Sequence, residues 1–223
     1  MRYSFEARLE KTENGYKIGL PFNIWEVSRH RDTIAAELYL EEGKIPCELF
    51  PLDKGKYELH IAEQDVAQWA QDTSKEVVLR IPATLQKVEK ESPFSAEHPI
   101  RRIDGINLII QPEDGLCGQA CVAMLAGVSI DEVMETMDCR EWQATMGRVI
   151  SALNYYGIGH SGVIRFTGGR KEKLPKCCIM MERMGRFSHY LIHYNGKFYD
   201  SNLGVLEEYD MSKLLGYLEV KCD

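Results

Sequence analysis

Over the first eighty residues the apolar positions alternate. Tyr3, Phe5, Ala7 and Leu9 recur with period two, and Tyr16, Ile18 and Leu20 repeat the pattern after Asn14-Gly15, a strong hairpin turn signal. Glu42-Gly43-Lys44 separates the runs Ile34–Leu40 and Ile45–Phe50, and Asp53-Lys54-Gly55 separates the second run from Tyr57–Ile61. A short amphipathic helix at about 62–71 and a last strand, Glu76–Ile81, complete the unit. Many short strands joined by glycine-marked turns predict a small β-barrel or sandwich with one or two helices over residues 1–82.

Residues 83–103 break the pattern. Pro82, Pro93 and Pro99 punctuate a polar stretch with no sustained hydrophobic period, which reads as a linker. Beyond it, residues 104–223 form a second domain of different texture. Ile106–Ile110 reads as a short apolar strand, Gly118–Ala126 as an apolar helix, and Ser129-Ile130-Asp131-Glu132 as a capping box opening another helix. A third helix is expected from about Arg140 to Tyr155. Strands follow at Gly162–Phe166, Cys177–Glu182, Tyr190–Tyr194 and Lys197–Ser201, the last two joined by Asn195-Gly196. Helices first and an antiparallel sheet after them is an α+β order rather than a wound parallel sheet.

Charge narrows the partners. The net charge of −7 is spread as −4 over residues 1–82, +1 over 83–103 and −4 over 104–223, so neither domain has the basic surplus that neutralising a row of phosphates requires. No nucleic acid is expected as partner. The N-terminus carries Arg2, Glu6 and Arg8 where a secretory signal needs its apolar stretch, and no apolar run approaches a membrane span. The expectation is a cytoplasmic protein with no membrane span. Its seven cysteines, an odd number, then read as reduced thiols rather than a disulfide framework.

One of those thiols stands apart. In Gln111-Pro112-Glu113-Asp114-Gly115-Leu116-Cys117-Gly118, Cys117 sits at the mouth of a helix, where backbone N–H groups and the helix dipole favour the attacking thiolate. Its own N–H and the side-chain amide of Gln111 can together form an oxyanion hole. A base is offered by His189. If Asn195-Gly196 is a two-residue turn, Tyr194 pairs with Lys197, which sets Leu191 opposite Asp200 and His189 opposite Asn202 on one face of the sheet. Either Asp200 or Asn202 can then hold the imidazole.

With these residues in place the chain resembles the papain-like cysteine peptidases, and more closely the branch that removes double-glycine leader peptides from bacteriocins. The matching features are Gln111 six residues before Cys117, the helix start Cys117-Gly118-x-Ala120-Cys121-x-Ala123-Met124, then His189-Tyr190-Leu191-Ile192 and Tyr199-Asp200-Ser201. They cover about residues 105–205. The resemblance implies a papain-like domain with Cys117 as nucleophile, His189 as general base and acid, Asp200 as orienter and Gln111 as oxyanion donor. It implies a thiol-dependent peptidase acting on a peptide or protein substrate through an acyl-enzyme, with no cofactor and no metal. The chain departs from that branch at Leu116, where an acidic residue is usual, and at Ser201, where proline is usual. A papain-like acyltransferase or isopeptidase using the same residues, or an inactive peptide-binding module, are the alternatives. The N-terminal domain resembles a small bacterial β-barrel family of unknown function through Gly15-Tyr16-Lys17-Ile18-Gly19-Leu20-Pro21-Phe22, which fits a module for docking a substrate or a partner protein.

The remaining candidates have plainer readings. Cys121, one turn along the same helix, is a core thiol. Cys177-Cys178 lack zinc-ligand spacing, and adjacent strand residues face opposite ways. His193 reads as a packed structural histidine and His160 as a residue of the site rim. Arg165, Arg170, Lys171, Lys173 and Lys176 read as a solvated loop rather than a grip for an acidic peptide.

Overall fold

A computed structural model describes the chain except for residues 25–30, 41–42, 67–68, 70–73, 83–87, 89, 185–186 and 223. Helices and strands are both present, and the chain divides into two compact units: Met1–Thr84 with Val163–Gly168, and Leu85–Gly162 with Gly169–Asp223.

The first unit is built from β1 (Arg2–Ala7), β2 (Glu10–Thr12), β3 (Gly15–Gly19), β4 (Ile34–Leu40), β5 (Gly43–Pro51), β6 (Tyr57–Ile61) and β7 (Lys75–Arg80), joined by part of β8 (His160–Phe166). The strands run in the order β8-β1-β7-β4-β5-β6-β3-β2. Ile45, Cys47 and Leu49 of β5 are buried at every second position, as the alternating pattern requires. Two expectations are corrected. Of the helix expected at about 62–71, the described residues carry a 3₁₀ turn at Glu63–Val66 in place of an α-helical start, and residues 67, 68, 70 and 71 lie outside the described residues. The segment Val163–Gly168, read as part of the second domain, belongs to the first, because β1 pairs parallel with β8 from Arg2↔Val163 to Ser4↔Arg165. A pairing between residues so distant in sequence leaves no local pattern.

The second unit carries three helices, α1 (Cys117–Ala126), α2 (Ile130–Met137) and α3 (Met146–Tyr155). Antiparallel strands follow: β9 (Cys177–Met184), β10 (Phe187–Tyr194), β11 (Lys197–Asp200), β12 (Gly204–Leu206) and β13 (Leu214–Val220), in the order β12-β11-β10-β9-β13. Ser129 caps α2 by accepting from the Glu132 N–H at 3.1 Å. The third helix starts later than expected, after the cap Thr145, because residues 140–145 form a turn in which Trp142 adopts φ +60°. One face of the sheet closes over Cys178, Met180, Leu191, Phe198, Leu214 and Tyr217.

Two other expectations change in this unit. Residues 106–110 are not a strand; the chain there is irregular, and the Gln111 N–H reaches the Ser201 carbonyl at 3.0 Å. Nor is the expected linker free of the fold. Residues 83–87 and 89 lie outside the described residues, but Ser92 Oγ donates to the Tyr155 carbonyl, Phe94 packs edge-on to Tyr155, and the Ile100 N–H donates to the Tyr156 carbonyl at 3.0 Å. Its prolines break hydrophobic periodicity without preventing such packing. Among the described residues no single helix is long and apolar enough to cross a membrane.

Candidate active site

The site grows from the start of α1. Leu116, at the N-cap position, offers the first turn no side-chain acceptor, and the Ala120 N–H closes the helix on the Leu116 carbonyl at 2.8 Å. Cys117 occupies the first helical position and is partly exposed, whereas Gly118 to Ala126 are all buried. Gly118 lets the helix approach its neighbours: a Cβ there would lie 2.6 Å from Ala144 Cβ and 3.4 Å from Tyr190 Cδ2 of β10. Upstream, Gly115 has φ +92°, and a Cβ would meet the Trp142 ring at 2.7 Å. The Trp142 N–H donates to the Gly115 carbonyl at 2.9 Å, so the tryptophan loop braces the turn that delivers Cys117.

The hairpin register is the one a two-residue turn demands: Tyr194↔Lys197, His193↔Phe198 and Ile192↔Tyr199. That brings the end of β11 to His189. Its Nε2 lies 2.8 Å from Asp200 Oδ2, and the Cys117 side chain hydrogen-bonds the same imidazole. Asp200 Oδ1 accepts from the backbone N–H groups of Asn202 at 2.8 Å and Leu203 at 3.2 Å, so the buried carboxylate is served at both oxygens. Burial disfavours its charge, but the His189 hydrogen bond and these two N–H groups outweigh it and lower its pKa. An ionised carboxylate only accepts, so Nε2 carries a proton. Burial also opposes charge on His189; its bonds to Asp200 and Cys117 outweigh that and push its pKa up to about 10.

Asn202, the other expected orienter, plays a different part. The ladder ends before it, its side chain is exposed in the following turn, and it contributes only its backbone N–H to Asp200. Gln111 is joined to the site through Ser201. Ser201 Oγ donates to Gln111 Oε1 at 3.2 Å, and the two residues are 1% and 8% exposed. The contacts thus run in one chain: Cys117 to His189, His189 to Asp200, and from Asp200's neighbour Ser201 to Gln111.

The other candidates lie apart from this chain of contacts. Cys121 is fully buried, and burial raises its thiol pKa well above the ordinary value. His193 Nδ1 bonds the Pro175 carbonyl at 2.9 Å and its Nε2 accepts from the Gly196 N–H, which closes the hairpin. His160 bonds Asn154 Oδ1 and the Gly162 N–H. Of the basic group, Arg165 pairs with Glu76 at 2.8 Å and Arg170 with Glu172 at 3.9 Å. Among the described residues no group of three or more His, Cys, Asp or Glu is placed to hold a metal ion.

Sequence reasoning missed three contributors: the Ser201 hydroxyl, the Leu203 N–H, and the Trp142 brace at Gly115. Only Ser201 had a signal, as the residue following Asp200. No protein-family model matches the chain, and no curated protein matches it.

Proposed function

We propose that the second unit is a papain-like thiol peptidase that cleaves a peptide or protein through an acyl-enzyme on Cys117. The observation that carries this reading is the contact chain from the thiol to His189 and from His189 Nε2 to Asp200 Oδ2 at 2.8 Å. The order of elements is consistent with it: the cysteine opens the first helix, the histidine lies on β10 and the acid ends β11.

In this mechanism the Cys117 sulfur, its proton already held on the His189 ring, attacks the scissile carbonyl as the thiolate. The oxyanion is held by the Cys117 N–H and the Gln111 amide N–H₂. As the tetrahedral intermediate collapses, the C–N bond breaks and the Nδ1 proton goes to the leaving amine. Neutral His189 then takes a proton from water, whose oxygen attacks the thioester, and returns it to the departing sulfur. Asp200 keeps the second ring nitrogen protonated and the ring in place throughout. Trp142, whose backbone N–H bonds the Gly115 carbonyl and whose ring is half exposed, gives an apolar surface beside the turn before Cys117.

Incubation with an activated peptide ester tests the reading. A burst of alcohol release, with one acyl group found on Cys117 by mass spectrometry, is the expected result. Acylation absent, or spread over several cysteines, overturns it.

A further inference from the structure

Gln111 can stabilise an oxyanion only if its amide presents nitrogen rather than oxygen to the reacting carbonyl. A carboxamide has two nearly isosteric ends, one donating and one accepting, and a half-turn about its last bond exchanges them. Some other group has to choose between the two. Ser201 is placed to do so: its hydroxyl donates to Gln111 Oε1 at 3.2 Å, and its carbonyl accepts the Gln111 backbone N–H at 3.0 Å. Both residues are buried, so water does not compete freely with the Ser201 hydroxyl for Gln111 Oε1. Ser201 also directly follows Asp200, which holds His189, so one stretch of chain fixes the base and the oxyanion donor together.

We infer that Ser201 is a positioning residue for acyl transfer, locking the Gln111 amide with its nitrogen toward the oxyanion. This rests on the peptidase reading above. Without the hydroxyl, the amide is free to turn its oxygen toward the developing negative charge, where it repels instead of stabilising. The effect belongs only to steps that form an oxyanion. Alkylation of Cys117 by iodoacetamide displaces iodide at a saturated carbon and forms none, so it reads the thiol and its base without reading the amide.

The test compares two reactions of Cys117, acylation by p-nitrophenyl acetate and alkylation by iodoacetamide, in the full-length protein. Loss of a single oxyanion donor costs about 10²–10³-fold, so Ser201→Ala, which only unlocks the donor, is expected to slow acylation about tenfold or more while alkylation stays within about twofold. Ser201→Thr keeps the hydroxyl and is expected to restore the wild-type ratio of the two rates. In a Gln111→Ala background, Ser201→Ala should add nothing. Unchanged acylation in Ser201→Ala overturns the inference, as does a full further loss in the Gln111→Ala background. A parallel fall in both reactions overturns it too, since that marks a structural role for Ser201 or a misfolded variant. If wild-type protein is not acylated on Cys117 at all, it is the peptidase reading that fails.

Discussion

His189 Nε2 and Asp200 Oδ2 lie 2.8 Å apart in a site where the two residues are 6% and 2% exposed. A buried pair of this kind is tolerable only when its remaining bonding capacity is filled, and the Asn202 and Leu203 N–H groups fill the second carboxylate oxygen. The pair therefore ties stability to pH. His189 is raised above its ordinary 6.5, so its contribution is complete below 6.5 and is lost as pH rises through about 10. Asp200 is lowered, so its contribution is present above the ordinary 3.8 and is lost as pH falls through its lower folded value. The melting-temperature gap between wild type and Asp200→Asn should be widest between pH 3.8 and 6.5 and shrink on both sides. A gap that does not vary with pH would contradict the linkage.

On the peptidase reading, the same pair sets the alkaline limit of the chemistry. Departure of the amine needs a proton on His189, and that proton is held up to about pH 10. Hydrolysis of a peptide amide should therefore stay active well into the alkaline range. Asp200→Asn removes the Asp200 share of the bonds and charge that raise the histidine, so the descending limb should move toward neutral pH. Rate profiles of the two proteins, measured alongside melting curves, decide this, and coincident limbs would be evidence against Asp200 as the group that holds the ring.

Cys117 and Cys222 are the two partly exposed cysteines, whereas Cys47, Cys121, Cys139, Cys177 and Cys178 are buried. Burial pushes the thiols of Cys47 and Cys177 up to about 12. At pH 6 an ordinary thiol is almost wholly protonated, so exposure alone does not make it react. Cys117 opens helix α1 and bonds His189, whose ring is cationic at this pH, so it should be alkylated by iodoacetamide at least about tenfold faster than Cys222. His189→Ala should slow Cys117 and leave Cys222 unchanged. Peptide mapping after timed labelling gives both rates, and equal rates in wild-type protein would remove the case for an activated thiol.

A Cβ at Gly118 would sit 2.6 Å from Ala144 Cβ, closer than packed carbons come. Gly118→Ala should push the 140–145 turn away from α1 and cost about 1–3 kcal/mol of stability, as overpacking of a filled interior usually does. Gly115→Ala should be worse placed still, since it meets both a positive φ and the Trp142 ring. Thermal melting and Cys117 labelling measured together check this; unchanged melting in Gly118→Ala would mean that the turn yields without strain.

Much of the site was legible because its parts are local or set by short-range register. Cys117 at a helix start follows from an apolar run behind a glycine turn, and Asn195-Gly196 fixes the pairing that brings Asp200 to His189. Reading that register on to Asn202 failed, since strand pairing stops where Asp200 takes up the next two N–H groups and bends the chain. Gln111 was found for its amide, but its supporting strand was not there; the backbone bond to Ser201 holds it instead, across ninety residues. The strand Leu214–Val220 escaped notice because a bulge between Leu214 and Gly216 interrupts its alternation, although it pairs with β9. Long-range pairing, as of β1 with β8, is what local pattern cannot carry.

The sharpest separation of an enzyme from a binding fold comes from non-additivity. In the proposed mechanism Cys117 and His189 share one proton, so removing either disables the same step. Cys117→Ala, His189→Ala and the double variant should therefore retain nearly the same residual peptide cleavage, rather than the product of two separate losses. Asp200→Ala should cost less than either, because its part is to hold the ring and the tautomer. It should nevertheless cost more than Asn202→Ala, whose side chain is exposed and whose backbone N–H survives the substitution. Gln111→Ala should lower turnover by about 10²–10³-fold with substrate affinity nearly unchanged if its amide is the proposed oxyanion donor. Near-wild-type melting of each variant is the condition for reading these rates as chemistry. Full activity in folded Cys117→Ala would remove the acyl-enzyme and leave a fold that binds peptides without cutting them.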